Sequence, residues 1–272
     1  MAREQPAAGR PRVLALANQK GGVGKTTTAV NLATAMAAYR LRVLVIDLDP
    51  QGNASTGLGV SRQDRRRDIY AVLAGSTDLQ SAVLPTVVPG LSLVPSTPDL
   101  SGAELELVEL AEREYRVRAV LEQYLAETSD SPDVVFIDCP PSLGLLTLNA
   151  LVASGGVLVP LQCEFYALEG LSMLLQTVER IRRSFNPQLA VQGVVLTMFD
   201  GRNNLSRQVE DDVRHHMGDL VYQTVIPRNV RISEAPSHGI PALVYDLRCA
   251  GSQAYVKLAR EVLEREGRLT AS

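Results

Sequence analysis

The chain is poor in lysine. Of its 27 lysine and arginine residues, only Lys20, Lys25 and Lys257 are lysines. It contains no run of about 18 apolar residues, so no helical membrane span is expected. Cys139, Cys163 and Cys249 lie far apart and form no Cys-x-x-Cys pair. That argues against a disulfide framework, a zinc site or a cysteine-held cluster, and fits buried reduced thiols in a cytoplasmic protein. Net positive charge is lacking too: the formal balance is −3 and the pI is near 5.7. Any affinity for nucleic acid must therefore come from a local patch. The segment from Met1 to Arg12 has no apolar centre and is no secretory signal. No internal repeat or low-complexity linker divides the chain. These absences predict a single domain over residues 12–267, a disordered tail over 1–11 and a short polar tail over 268–272. His215, His216 and His238 lie in polar helix or turn contexts and carry no evident chemistry.

What is present is an alternation of short apolar runs with amphipathic stretches. The strands predicted are Val13–Ala17, Arg42–Ile46, Leu91–Val94, Val134–Ile137, Val157–Pro160, Val191–Thr197, Val221–Ile226 and Ala242–Val244. The helices are Lys25–Tyr39, Ile69–Leu73, Ser101–Leu110, Val117–Glu127, Gly144–Ala153, Ala167–Ser184, Leu205–Met217 and Gly251–Glu266. Apolar runs without alternation suit parallel strands covered on both faces. The fold expected is an α/β, doubly wound, mostly parallel twisted sheet flanked by helices, with ligands at the carboxyl ends of strands. The charged run Asp64–Asp68, containing Arg65, Arg66 and Arg67, reads as a solvated loop.

Two of the scarce lysines sit together in Lys20-Gly21-Gly22-Val23-Gly24-Lys25-Thr26-Thr27. An apolar run precedes this stretch and a helical one follows. Gly21, Gly22 and Gly24 let the backbone curl so that N–H groups point at phosphate. Lys25 should reach the terminal phosphates as a compact point charge, where a guanidinium fork is too bulky. The Thr26 hydroxyl should bind Mg²⁺, and Thr27 lies at the positive end of the helix. Val43 to Asp49 is an apolar strand ending in Asp47 and Asp49, which share a side in extended chain. Val134 to Asp138 is a second apolar strand with an acid at its carboxyl end, the usual form of a Walker B aspartate that holds Mg²⁺.

The phosphate loop, with Asp47-Leu48-Asp49-Pro50-Gln51-Gly52-Asn53 and Ile137-Asp138-Cys139-Pro140-Pro141, resembles the deviant Walker A ATPases of the P-loop NTPase fold. The later stretches Pro160–Glu164 and Ile226–Ser237 are most similar to the ParA/Soj chromosome-partitioning family. The resemblance implies a Mg²⁺-dependent ATP hydrolase of DNA segregation, cytoplasmic and nucleoid-associated. It implies an ATP-driven sandwich homodimer that binds double-stranded DNA non-specifically, and a ParB-like partner that stimulates hydrolysis. Carried over by position, Lys20 reaches the partner's phosphates and Lys25 acts in cis. Asp49 orients the attacking water, and Asp47 supports the metal shell through water. Met198, Pro227 and Asn229 contact adenine, while Arg202, Arg231 and Arg248 contact DNA. Cys249 stands where relatives often carry a further basic residue. The tail is too short for a helix-turn-helix, so operator-specific repression is not implied. The alternative is a MinD-like membrane ATPase, which would need Gly251–Glu266 or the residues after it as an amphipathic anchor.

Overall fold

The alternating apolar and amphipathic segments build one seven-stranded sheet. The computed structural model describes residues 11–269; the expected tails fall outside them at residues 1–10 and 270–272. The strands are β1 (Arg12–Leu16), β2 (Val43–Asp47), β3 (Leu84–Pro85), β4 (Leu91–Val94), β5 (Val134–Asp138), β6 (Gly156–Gln162) and β7 (Ala190–Thr197), and they lie side by side in the order β3-β4-β2-β5-β1-β6-β7. All pairings are parallel except β3 with β4. β3 carries no strand pattern in the sequence because it is a short edge segment containing proline.

The central strands are apolar throughout because both faces are covered. On β5, Val134 and Phe136 join Leu14, Leu16, Val43 and Val45 in one layer. Val135 and Ile137 join Ala15, Leu44 and Ile46 in the other. The first layer is closed by the helices Lys25–Ala38 and Ala250–Arg265, through Ala33, Met36, Leu258 and Val262. The second is closed by Leu100–Val108, Arg116–Glu127, Leu145–Ala153 and Ala167–Ser184, through Leu107, Leu121, Leu151 and Leu174. Each fully buried leucine contributes roughly 1.5–3 kcal/mol. The apolar stripe of Ala250–Arg265 is thus spent on the core: Tyr255, Leu258, Ala259, Val262 and Leu263 are all buried. Among the described residues no helix is long and apolar enough to cross a membrane.

Two predicted strands are not strands. Val221–Ile226 runs beside β7 without forming a continuous strand: it has one isolated bridge, at Val221, and the Tyr222 and Ile226 N–H groups donate to the Val194 and Leu196 carbonyls. The Glu261 carboxylate accepts the N–H groups of Gln223 (2.7 Å) and Thr224 (2.9 Å), so a side chain takes what the ladder needs. Ala242–Val244 lies in the one-turn helix Ala242–Tyr245, opened by Pro241 and fixed by the Ala242 N–H donating to Asn31 Oδ1 at 2.8 Å. Nor is the run Asp64–Asp68 wholly solvated: Arg65 and Asp68 are buried. Asp68 caps the helix Ile69–Leu73 through the Ala71 N–H.

Candidate phosphate-binding site

Three adjacent strands, β2, β5 and β1, end at one level. Asp47 pairs with Asp138 across β2 and β5, and Asp138 pairs with Leu16 across β5 and β1. The chain leaving β1 turns over this edge through residues 17–24 and enters the helix Lys25–Ala38. Gly24 closes the turn at φ 86°, a left-handed conformation that glycine adopts without strain. The N–H groups of the first helical turn beyond it have no intrahelical acceptor.

The loop is tied down on both sides. Asn18 Oδ1 accepts the Lys20 N–H at 3.0 Å while its Nδ2 donates to the Pro160 carbonyl at 2.7 Å. The Thr197 hydroxyl donates to the Val23 carbonyl at 2.8 Å, joining the loop to the end of β7. Neither tether was found in the sequence, because both depend on strand order. Lys25 Nζ folds back to donate to the Lys20 carbonyl at 3.2 Å. Lys25 is buried, which lowers its pKa, and Asp138, Cys139 and Asp49 oppose that fall.

The expected carboxylates differ in state. Asp47 is fully buried and already occupied: Oδ2 accepts the Ser55 N–H (2.8 Å) and hydroxyl (2.7 Å), and Oδ1 the Asp49 N–H (3.3 Å). Burial pushes its pKa up to about 6 against the Ser55 hydrogen bonds. Asp138 is fully buried with no hydrogen-bond partner on either oxygen among the described residues. Its pKa is raised well above the usual carboxylate range, first by burial and then by Asp47. Thr26 and Lys25 oppose the rise, although the Thr26 hydroxyl stops short of a formed hydrogen bond. Asp49 is buried and accepts the Gln51 N–H at 3.0 Å.

Buried carboxylates thus outnumber the single buried ammonium. The orphaned Asp138 oxygens beside Thr26 fit a divalent cation. Among the described residues no cluster of three or more His, Cys, Asp and Glu could hold a metal unaided. A cation here would draw its remaining ligands from water and phosphate oxygens, the habit of Mg²⁺.

A pH consequence follows. Asp47 and Asp138 hold protons in the folded chain that the unfolded chain releases near its ordinary value of 3.8. Where the native state binds more protons, stability falls as pH rises. This loss runs from the unfolded value through about 6 for Asp47 and continues upward for Asp138. Ligand-free protein should melt a few degrees lower at about pH 7.5 than at about pH 5.5, and a divalent cation should narrow the gap. A calorimetric melt showing the reverse slope would contradict the arrangement.

The remaining expected residues are dispersed. Lys20 is half-exposed and ion-paired with Glu164 of the same chain, an interaction the sequence did not reveal. Met198, at a left-handed φ of 51°, follows β7 and lies close to Gly24. Pro227 lines a cleft of about 340 Å³ with Phe199, Gly201, Arg202 and Arg228. Asn229 caps the helix Val230–Glu234 through the Arg231 N–H. Arg202 is exposed and pairs with Asp200 at 3.2 Å. Arg231 pairs with Glu234 at 3.0 Å and Asp246 at 3.7 Å, and Asp246 also accepts the Arg248 N–H at 3.0 Å. The Arg231 side chain thus shares the Asp246 carboxylate with the Arg248 backbone, and Arg202 lines the same cleft as Arg228.

A glycine-rich turn from strand to helix, a lysine folded into it and an acid at the end of the neighbouring strand define a P-loop nucleotide-binding protein. Likeness to named members over more than nine-tenths of its length shows that the chain belongs to the ParA/Soj family of chromosome-partitioning proteins. A protein-family model described as an AAA domain matches residues 11–191. The chain is 61% identical over 255 residues to the chromosome partitioning protein ParA of Caulobacter vibrioides, covering 94% of this chain and 95% of that one. It is 50% identical over 251 residues to the sporulation initiation inhibitor protein Soj of Bacillus subtilis, covering 92% and 98%. Among solved structures it resembles cobyrinic acid a,c-diamide synthase from Mycobacterium smegmatis with bound ADP and magnesium: 38% identity, TM-score 0.80, coverage 94% and 95%.

Proposed function

We propose that this chain is a Mg²⁺-dependent ATP hydrolase of DNA segregation, working as an ATP-bound homodimer on double-stranded DNA. The observation that carries the reading is the pair of unpartnered Asp138 oxygens beside Lys25 and Thr26 under the phosphate loop. Relatives named for chromosome partitioning support the biological role. The similar structure named as a synthase shows that the fold alone does not choose the task. Mg²⁺, held by Thr26 and Asp138 with Asp47 behind a water, would neutralise charge developing on the terminal phosphates. Lys25 supplies the fixed positive charge of the same chain. Asp49 orients the attacking water. Met198 and Pro227 shape the adenine side, with Asn229 fixing the turn beyond them.

Lys20 would leave Glu164 for the phosphates of the second protomer. A half-exposed ion pair of this kind is worth about 0–1 kcal/mol, so exchange is cheap. The same reasoning applies to Arg202 and Arg231, whose carboxylate partners are half-exposed and replaceable by DNA phosphates. Arg248 would join them, and a dimer would double the patch. A ParB-like partner would accelerate hydrolysis.

The test is retention on duplex DNA through a salt titration, with ATP, ADP or no nucleotide. Retention should need ATP and fall steeply with salt. Arg231→Glu should weaken binding on every sequence and reduce the salt slope by about one unit or more, with ATP-driven dimerisation kept. DNA binding indifferent to nucleotide would refute the coupling.

A further inference from the structure

We propose that Arg65 is a positioning residue for hydrolysis, holding the Asp49–Val60 segment so that the Asp49 carboxylate keeps its place; this role rests on the reading just given. Arg65 is buried, yet no carboxylate lies within ion-pairing distance of it among the described residues. Its guanidinium is spent on oxygens from separate pieces of backbone. Nη1 donates to the Gly52 carbonyl at 3.2 Å and the Ser96 carbonyl at 3.1 Å. Nη2 donates to the Thr56 hydroxyl at 2.8 Å and the Val60 carbonyl at 2.9 Å, and Nε also reaches Val60 at 3.2 Å. Burial lowers the Arg65 pKa and nearby Asp47 counters that.

These bonds close a circuit. The Asp49 N–H donates to Asp47 Oδ1, and Ser55 donates to Asp47 Oδ2. The Ser96 N–H donates to Ser55 Oγ at 3.0 Å, while the Ser96 carbonyl accepts from Arg65. Arg65 donates to the Gly52 carbonyl, and the Gly52 N–H returns to the Asp49 carbonyl at 2.9 Å. Gly52 is shaped to this contact. It sits at φ 62°, and a Cβ there would collide with Arg65 Nη1 and crowd the Ser96 carbonyl. A planar fork can bridge such divergent acceptors, whereas an ammonium offers donors from one point only. A burial this costly without a carboxylate is a poor device for stability alone. What it secures is the backbone immediately after the water-orienting acid.

The experiment compares Arg65→Lys and Thr56→Val with the wild-type chain, with phosphate release measured per ADP-binding site titrated. Arg65→Lys should lower kcat by about 10–100-fold, the scale of a small misplacement. KM for ATP and ADP affinity should stay within about 3-fold, because the phosphate loop is untouched. Thr56→Val, at an exposed position, keeps the arginine and removes one acceptor; it should fold normally and lower kcat by about 2–5-fold. An Arg65→Lys kcat within about 2-fold of wild type, or a parallel loss of ADP affinity, overturns the role. Should Arg65→Lys fail to fold, Thr56→Val decides alone, and parity with wild type overturns the role. A wild-type chain that binds ATP and never turns it over would fail differently: it removes the hydrolase reading first.

Discussion

Asp138→Asn should make the ligand-free protein more stable while cutting ATP hydrolysis by about 10²–10³-fold, the usual cost of losing a preorganised electrostatic group. The two effects share a cause. Asp47 and Asp138 are side by side on neighbouring strands and wholly buried. Asp47 is satisfied by Ser55 and the Asp49 N–H, but Asp138 receives no hydrogen bond among the described residues. Its carboxylate is tolerated only by holding a proton far above its ordinary pKa, with burial the larger cause and Asp47 the next. Asparagine keeps the shape and needs no proton taken up on folding, so at neutral pH it should stabilise by about 1–3 kcal/mol. For a chain of this length that is roughly 3–10 °C in Tm. The variant should also lose the metal-induced rise in melting temperature. Thermal melts with and without Mg²⁺, beside a phosphate-release assay, check both halves. A destabilised variant would mean that Asp138 serves the fold instead of a ligand.

How much of this was legible in the sequence depends on how far each contact reaches. Gly24, Lys25 and Thr26 are consecutive, so their joint purpose could be read from spacing alone. The apolar runs ending at Asp47 and Asp138 announced strands with acids at one edge. Their adjacency needed the order β2-β5-β1, which no local pattern encodes. Helices such as Ile69–Leu73 and Ala167–Ser184 kept their expected bounds because amphipathic periodicity is local. Val221–Ile226 has strand-like composition, but Glu261, from a helix nearly forty residues later, takes its N–H groups at Gln223 and Thr224. The burial of Arg65 is hidden from local pattern for the same reason. A run of charges suggests solvent, and nothing nearby shows that Gly52 and Ser96 offer carbonyls to one of them. The partnership of Lys20 with Glu164 was equally hidden, since the two residues meet only where β1 and β6 lie side by side.

Lys25→Ala should abolish hydrolysis as thoroughly as Asp138→Asn, yet move stability the opposite way. The ammonium is the only lysine charge buried among Asp47, Asp49 and Asp138, and it lies folded against the Lys20 carbonyl at 3.2 Å. Removing it leaves the carboxylates without their cation, and stripping one partner from a buried charge set costs about 3–5 kcal/mol at most. Part of that is recovered because the acids can take up protons, so a loss of about 1–3 kcal/mol is expected, shrinking as pH falls. ATP affinity should drop by about 10²-fold or more, since a charge-assisted contact to phosphate is lost together with the loop shape it supports. Lys25→Arg separates charge from fit. It restores the positive charge, but the guanidinium cannot thread the space between the Lys20 carbonyl and the strand ends. It should therefore recover little hydrolysis. Full recovery by arginine would show that the loop reads charge alone, and a stabilised Lys25→Ala would show that the acids beneath it are already neutral without it. Opposite shifts in melting temperature from Asp138→Asn and Lys25→Ala, with hydrolysis lost in both, are the signature of an edge built to hold a cation and a polyphosphate between the two residues.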